Sequence, residues 1–324
     1  MNVRAEAAST FLLALALHPL RAEDASVRSP VLGHMLDTPR GTIRAITGVS
    51  GSAALGEPIG GLAGLRRAAI SSSHAVAERE GDQSLILIRW AGAVETLPLD
   101  GTPSDSPLFV LSPGGTAVAI VIPASEDSGP RIRVITGLPH NPFAGFDVGI
   151  QIEPAELAVS DDGTVAVADG SGVVVQDGGA GWRRVFEGET PAIAFRPGSR
   201  ELAIASPTSR TATLISAGSI RHLGADRLES PYALAFSGDG QRLVIAQDPG
   251  SVALIEVETG DVSVVQCDFR PDGLYRLRGG TVFRLSDSAK GAIAVLDADN
   301  AEPRIVAIAA FESSTSDSLP GEKQ

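Results

Sequence analysis

A repeated hairpin pattern constrains the fold of this chain more than any other feature. Five segments begin at Pro107, Pro154, Pro191, Pro231 and Pro271, and each contains an apolar run, a polar turn and a second apolar run. The segment from Pro231, PYALAFSGDGQRLVIA, is the clearest copy. Two apolar runs joined by a short polar turn are typical of a β-hairpin. The repeat therefore predicts an all-β architecture.

One position of the turn is glycine in four of the five copies: Gly115, Gly163, Gly240 and Gly280. Ser199 occupies that position in the third copy. A tight reversal usually needs a residue with positive φ, which glycine adopts without a Cβ clash. A calcium loop would instead need acidic residues at alternating positions, and SGDG has one. We therefore interpret SGDG as a turn in which Asp239 accepts hydrogen bonds from local backbone amides.

A second hairpin follows these copies, most clearly at residues 251–267 and 292–308, so each repeat has four strands. The aligned turns are separated by 48, 36, 41 and 40 residues. This period and strand number are typical of a propeller blade. A weaker copy covers residues 66–98, and residues 31–48 resemble only the second half of a blade. We predict an all-β β-propeller of seven blades, one of them partial, with six blades as the alternative.

The aligned turns also carry a family resemblance. LSPGGTAVAI, VSDDGTVAVA and FSGDGQRLVIA resemble the turns of bacterial YVTN/WD40-like β-propeller repeat proteins, over residues 31–310. The resemblance implies the fold and no single activity, because propellers serve as enzymes, adhesion modules and assembly platforms. Neither Trp90 nor Trp182 is followed by aspartate, so the eukaryotic WD40 pattern is not matched.

Composition excludes several classes of function. Asp and Glu number 39 against 26 Lys and Arg, a formal net charge of −13, which disfavours a nucleic-acid partner. The single cysteine, Cys267, excludes a disulfide framework within the chain. Only 4% of residues are aromatic, so we expect a core of Ala, Val, Leu and Ile.

The N-terminus has the layout of a secretory signal peptide. The apolar run TFLLALAL (residues 10–17) follows Arg4 and precedes Pro19, with Ala22 before the expected cleavage point. The run is too short for a membrane span, which takes about 20 residues. A buried N-terminal helix is the alternative.

These features predict the organisation of the whole chain. We expect a signal peptide at residues 1–22, one propeller domain at 23–310 and a disordered polar tail at 311–324. The mature protein is expected to be an exported monomer without a membrane span, in the periplasm or outside the cell.

Carboxylates recur one to three residues before the prolines that open the blades: Asp105, Glu153, Glu189, Glu229 and Asp268. Loops that enter the innermost strands of a propeller gather at one mouth of its channel, so we expect a ring of carboxylates there. The loop at 123–130 is predicted to join a second and a third strand on the same face and to add Glu126 and Asp127. Such a ring would concentrate negative potential, able to hold Ca²⁺ or attract a basic partner.

The simplest interpretation of these carboxylates is that they are solvated loop residues. The chain has no G-x-S-x-G, H-E-x-x-H, phosphate-binding or C-x-x-C motif, and no histidine beside the carboxylates to act as a base. We therefore predict a non-catalytic binding or scaffolding module of the cell envelope, without a cofactor. The alternative is a Ca²⁺-dependent hydrolase or lactonase at the acidic mouth. The sequence specifies neither a protein partner nor a small ligand.

The connection GLPHNPFAGFD (residues 137–147) is a candidate protein-contact loop. It carries four residues of interest: His140, Asn141, Phe143 and Phe146. We predict that it joins the third and fourth strands of its blade, on the face opposite the acidic mouth. Exposed aromatic side chains would suggest a protein contact. The alternative is that both rings pack against the blade.

Overall fold

Seven antiparallel sheets make up the computed structural model of this protein. The structure describes residues 29–309 except residues 91, 100–107, 126–127, 152–153, 180, 191, 225–226, 287–290 and 300–301. Six sheets have four strands, and the first has three among the described residues. The predicted all-β propeller of seven blades is confirmed. No helix in the described part is long and apolar enough to cross a membrane.

The first three blades follow one another along the chain. Blade 1 contains β1 (Val31–Asp37), β2 (Thr42–Val49) and β3 (Ser52–Pro58), with a 3-10 turn at Thr38–Arg40. Blade 2 contains β4 (Leu65–Ile70), β5 (His74–Arg79), β6 (Leu85–Arg89) and β7 (Glu95–Pro98). Blade 3 contains β8 (Phe109–Leu111), β9 (Ala117–Ile122), β10 (Arg131–Thr136) and β11 (Phe143–Gly149).

The other four blades repeat the same order. Blade 4 contains β12 (Glu156–Val159), β13 (Val165–Ala168), β14 (Gly172–Gln176) and β15 (Arg183–Glu187). Blade 5 contains β16 (Ala192–Phe195), β17 (Leu202–Ser206), β18 (Thr211–Ser216) and β19 (Ser219–Leu223). Blade 6 contains β20 (Ser230–Phe236), β21 (Arg242–Asp248), β22 (Ser251–Glu256) and β23 (Val262–Gln266). Blade 7 contains β24 (Tyr275–Arg276), β25 (Val282–Arg284), β26 (Ile293–Asp297) and β27 (Arg304–Ile308).

Two faces of the ring follow from this topology. In blades 2 to 6 the first strand is innermost, as its contacts with the first strand of a neighbouring blade show, and the same strand order places β24 innermost in blade 7. The connection face carries the segments between blades and those between second and third strands. The turn face carries the tight turns between first and second strands and those between third and fourth strands. The described residues 123–125 and 128–130 lie between β9 and β10, a connection between a second and a third strand, as predicted.

Each pair of neighbouring blades shares its own hydrophobic cluster, seven in all in the described part. The cluster that closes the ring joins Met35 and Ile46 of blade 1 to Leu277 and Val295 of blade 7. Most cluster members are Ala, Val, Leu or Ile, in agreement with the aromatic-poor composition. The ring is therefore held by blade-to-blade burial of apolar surface.

The turns between first and second strands match the predicted geometry. In four copies the shared glycine has φ between +69° and +91°: Gly115, Gly163, Gly240 and Gly280. In the third copy Ser199 N donates to Arg196 O, but the positive φ of +65° belongs to Gly198, one residue earlier. Asp239 accepts bonds from Ser237 Oγ at 2.6 Å and Gln241 N at 3.0 Å. The SGDG stretch is therefore scaffolding.

Candidate functional site

The channel mouth on the turn face is crossed by contacts between blades. Asp161, in the turn of blade 4, accepts the N–H of Gly114 at 2.6 Å and the N–H of Gly198 at 2.8 Å. These glycines lie in the equivalent turns of blades 3 and 5. One carboxylate therefore ties three consecutive turns together with two charge-assisted hydrogen bonds.

Arg276 spans the same mouth. It belongs to β24, the innermost strand of blade 7, and its Nη2 donates to the carbonyl of Pro113 in blade 3, on the other side of the ring. Burial lowers the pKa of Arg276, and the nearby Asp161 carboxylate opposes that shift. The turns of blades 6 and 7 also touch, since Gly238 N donates to Gly280 O at 2.8 Å. Contacts between described residues of different blades therefore cross the turn-face mouth.

Three of the seven predicted mouth carboxylates lie among the described residues, and all three are exposed: Glu189, Glu229 and Asp268. The other four lie outside the described residues: Asp105, Glu126, Asp127 and Glu153. Glu229 directly precedes β20, and Glu189 lies three residues before β16, so both are near the channel. Asp268 follows the outermost strand β23 by two residues, which places it toward the outer rim.

Some carboxylates on each face are paired with arginine, and others are not. On the turn face Asp162 pairs with Arg200 and Glu201 with Arg196, and on the connection face Asp248 pairs with Arg270. Thr208 Oγ1 donates to Glu189 at 3.4 Å, and none of Glu189, Glu229 and Asp268 has an Arg or Lys partner among the described residues. The described residues include no group of three His, Cys, Asp or Glu side chains placed to hold a metal ion.

Glu156 is a mouth residue that the sequence analysis did not single out. It begins β12, the innermost strand of blade 4, and burial raises the pKa of its carboxyl to about 7. The available signal was its place two residues after Pro154, where the other hairpin copies have Phe, Ile, Ala or Gly. Glu156, Glu189 and Glu229 come from three consecutive blades, and we call them the acidic arc.

We expect Glu156→Gln to stabilise the protein at pH 8 by about 1–2 kcal/mol and to have little effect at pH 4. The raised pKa means that the folded state holds this proton more tightly than the unfolded state. The wild type therefore loses stability as the pH rises from about 4.5 to about 7, whereas glutamine has no such loss. Urea unfolding at both pH values measures the difference. The exposed Glu258→Gln is the matched control, and an equal gain in both variants would contradict the burial argument.

The candidate protein-contact loop is divided between a connection and a strand. Residues 137–142 join β10 to β11 on the turn face, as predicted, with His140 and Asn141 exposed. Phe143 and Phe146 lie on β11, the outermost strand of blade 3. Phe143 is 61% exposed, whereas Phe146 packs with Trp182 in the cluster between blades 3 and 4. One ring is therefore exposed and the other packs against the neighbouring blade.

A shallow cleft of about 550 Å³ lies on the turn face, away from the acidic arc, and is lined by residues that include Arg196, Arg200, Glu201 and Asp239. Arg196 pairs with Glu201, and Arg200 with Asp162. Because its charged groups already have partners within the protein, this cleft is a weaker binding candidate than the arc.

Comparisons with known proteins are informative about the fold. No family model and no curated protein sequence matches the chain. A functionally unknown protein from Desulfotomaculum acetoxidans DSM 771 is similar in structure, with a TM-score of 0.56 and 13% identity over 87% of this chain and 100% of that one. Kluyveromyces lactis Hsv2 has a TM-score of 0.51 and 10% identity, over 71% of this chain and 72% of that one. At such identities the likeness shows the β-propeller fold alone.

Proposed function

We propose that this protein is an exported, non-catalytic β-propeller that binds a cationic segment of a protein partner at the acidic arc. The observation that carries the proposal is the contrast between the two mouths of the channel. The turn-face mouth is crossed by contacts of Asp161 and Arg276. Glu189 and Glu229 are exposed close to the connection-face start of the innermost strands, without an Arg or Lys partner among the described residues.

Unpaired carboxylates at the mouth of a low-dielectric channel favour a positively charged ligand. Arg227 is an exposed cation on the same connection as Glu229, so Glu189 and Glu229 together exceed it by one negative charge at neutral pH. The chain has two tyrosines, and both lie on the innermost strands that follow the arc. Arg270 stacks on Tyr232 at 4.4 Å and Arg284 on Tyr275 at 4.0 Å, so this side of the channel already accommodates cations against aromatic rings.

The remaining parts of the proposal rest on sequence. Export rests on the signal-peptide layout of residues 1–22, which lie outside the described residues. Relationship to the YVTN/WD40-like repeat proteins rests on the turn sequences. Periplasmic or extracellular location and the monomeric state follow from the same interpretation.

Titration of a fluorescein-labelled oligolysine tests the binding proposal. We expect Glu189→Gln/Glu229→Gln to weaken its affinity by about three- to tenfold, since exposed ion pairs contribute about 0.2–1 kcal/mol each. The matched control is Glu258→Gln/Glu302→Gln, which removes the same charge from exposed turn-face positions. Binding by the wild type should weaken as salt increases.

Equal affinity losses in the two double variants would contradict the proposal, because only net charge would then matter. A parallel thermal melt with CaCl₂ addresses the hydrolase alternative. A Ca²⁺-dependent rise in Tm that disappears in Glu189→Gln/Glu229→Gln would replace the peptide proposal with a metal site.

A further inference from the structure

The outermost strand of each blade has one edge without a strand neighbour among the described residues. Charges and bulges on such an edge prevent its pairing with another chain. Six of the seven outermost strands contain at least one charged side chain: Glu57 of β3, Glu95 of β7, Asp147 of β11, Arg183 of β15, Arg221 of β19 and Arg304 of β27. Strand β23 of blade 6, VSVVQ, contains none and pairs with β22 without a register shift. Its edge therefore lacks both protections.

The edge of β23 directs backbone hydrogen-bonding groups away from the sheet. Cys267 N and Asp261 O bond at 2.9 Å to backbone groups of residues 250–256, on the β22 side. Backbone groups alternate in direction along an antiparallel strand, so those of the even-numbered residues in 262–266 point outward. These outward groups have no hydrogen-bond partner among the described residues. An added strand can pair with an edge of this kind.

The side chains of β23 also suit pairing with another strand. Three of its five residues are valine, a residue that favours strands. Val264, at the centre, is 45% exposed, and Ser263 and Gln266 are exposed as well. Val262 packs against the cluster between blades 5 and 6, and Val265 against the cluster between blades 6 and 7. The strand is therefore anchored in the ring while the centre of its edge is accessible.

Carboxylates flank both ends of this edge. Glu258 and Asp261 precede β23, Asp268 follows it by two residues, and all three side chains are exposed. None of the three has an Arg or Lys partner in the described part of the chain. Arg270, four residues after the strand, is paired with Asp248. The edge therefore has a neutral centre between two negatively charged ends.

We propose that the edge of β23 binds an extended segment of a protein partner as a fifth strand of blade 6. This segment has uncharged β-branched residues at its centre and Lys or Arg at both ends. Backbone hydrogen bonds supply the affinity, and the flanking carboxylates select the basic ends. A second copy of this chain fits less well, because antiparallel self-pairing centred on Val264 brings Asp261 of one copy close to Asp268 of the other. The edge lies on the outer rim, so the proposal is independent of the acidic arc.

A synthetic peptide tests this proposal. The probe is a fluorescein-labelled peptide of alternating threonine and valine with two lysines at each end, and the same peptide with a central proline is its control. Titration into the Glu189→Gln/Glu229→Gln protein separates binding at this edge from binding at the acidic arc. We expect the probe to slow exchange of the Val262, Val264 and Gln266 amides by at least about tenfold, as measured by NMR. The proline peptide should slow none of them.

Two substitutions at the centre of the edge should weaken binding of the probe. Val264→Lys supplies the kind of charge that the other outermost strands carry and should lower the affinity by about tenfold. Ala307→Lys adds the same charge at an exposed position of β27 and is the matched control. Val264→Pro removes an outward N–H without removing a bond to β22, so it should also lower the affinity. It serves as the second variant if Val264→Lys does not fold, which circular dichroism and Tm report.

Two results would overturn the proposal. One is unchanged exchange of the Val262, Val264 and Gln266 amides at saturating probe, and the other is an equal affinity loss in Val264→Lys and Ala307→Lys. A dimer that forms with increasing protein concentration in sedimentation, and that Val264→Lys abolishes, would assign the edge to a second copy of this chain instead.

Discussion

Asp161→Ala lowers the free energy of unfolding by about 2–4 kcal/mol in our account, because hydrogen bonds to a charged group contribute about 1.5–3 kcal/mol each. The side chain accepts from Gly114 N and Gly198 N, which belong to the turns of the two neighbouring blades. Its loss leaves both amides without this acceptor and removes a negative charge near the half-buried Arg276. Chemical denaturation measures the change.

Asp177→Ala is the control for this prediction. Asp177 is an exposed aspartate of the same blade. Among the described residues it accepts only from Gly179 N, at 3.2 Å, and it lies 3.9 Å from Arg200. We expect it to cost less than about 1 kcal/mol. Faster exchange of the Gly114 and Gly198 amides should accompany the loss of Asp161. A stability loss no larger than that of Asp177→Ala would show that the bridge does not hold the turns.

Gly280→Ala is expected to destabilise the protein by about 2–4 kcal/mol through two effects that can be separated. A Cβ on Gly280 would lie 2.7 Å from the Cα and 2.8 Å from the N of Gly238 in the neighbouring blade. Gly280 also has φ of +84°, which is strained for alanine. Both contacts are with backbone atoms, so no side chain can rotate away.

Two neighbouring substitutions separate these effects. At Gly279 φ is +94°, and an added Cβ would have no atom within 4 Å. The stability loss of Gly279→Ala therefore measures the backbone strain alone. Gly238 has no positive φ, but an added Cβ would lie 2.8 Å from Gly280 Cα. The stability loss of Gly238→Ala therefore measures the steric effect of the close contact between blades. Equal stability losses for Gly279→Ala and Gly280→Ala in thermal or urea unfolding would contradict the contribution of close blade packing.

The fold was predictable because its strongest signals are local. The turn glycines and the alternating apolar runs specify hairpins within about 15 residues of sequence. Closure of the ring was harder to predict from the sequence, since it depends on contacts between distant segments, such as Met35 with Leu277. The interpretation of residues 31–48 as the second half of a blade recognised the hairpin but was wrong about its place, because β3 follows it in the same sheet. The hairpin of residues 31–48 has a local sequence signal, whereas its position within the blade has none.

The candidate site was predictable only in part, for the same physical reason. Spacing before the prolines placed Glu189 and Glu229 near the innermost strands. It misplaced Asp268, because the connection between β23 and β24 is eight residues long and this residue lies at its outer end. Glu156 was overlooked because its significance depends on burial, which the sequence does not state. The bridge from Asp161 to Gly198 joins residues 37 positions apart and has no local signal.

The most direct test of the central claim is to map where a cationic peptide contacts the ring. A carbodiimide joins lysine amines to carboxylates that they touch, and mass spectrometry identifies the linked residues. With an oligolysine bound, we predict cross-links at Glu189 and Glu229 on the connection face and none at Glu258 or Glu302 on the turn face. Cross-links concentrated at Glu258 and Glu302, or spread evenly over both faces, would contradict the assignment of the acidic arc as the binding surface.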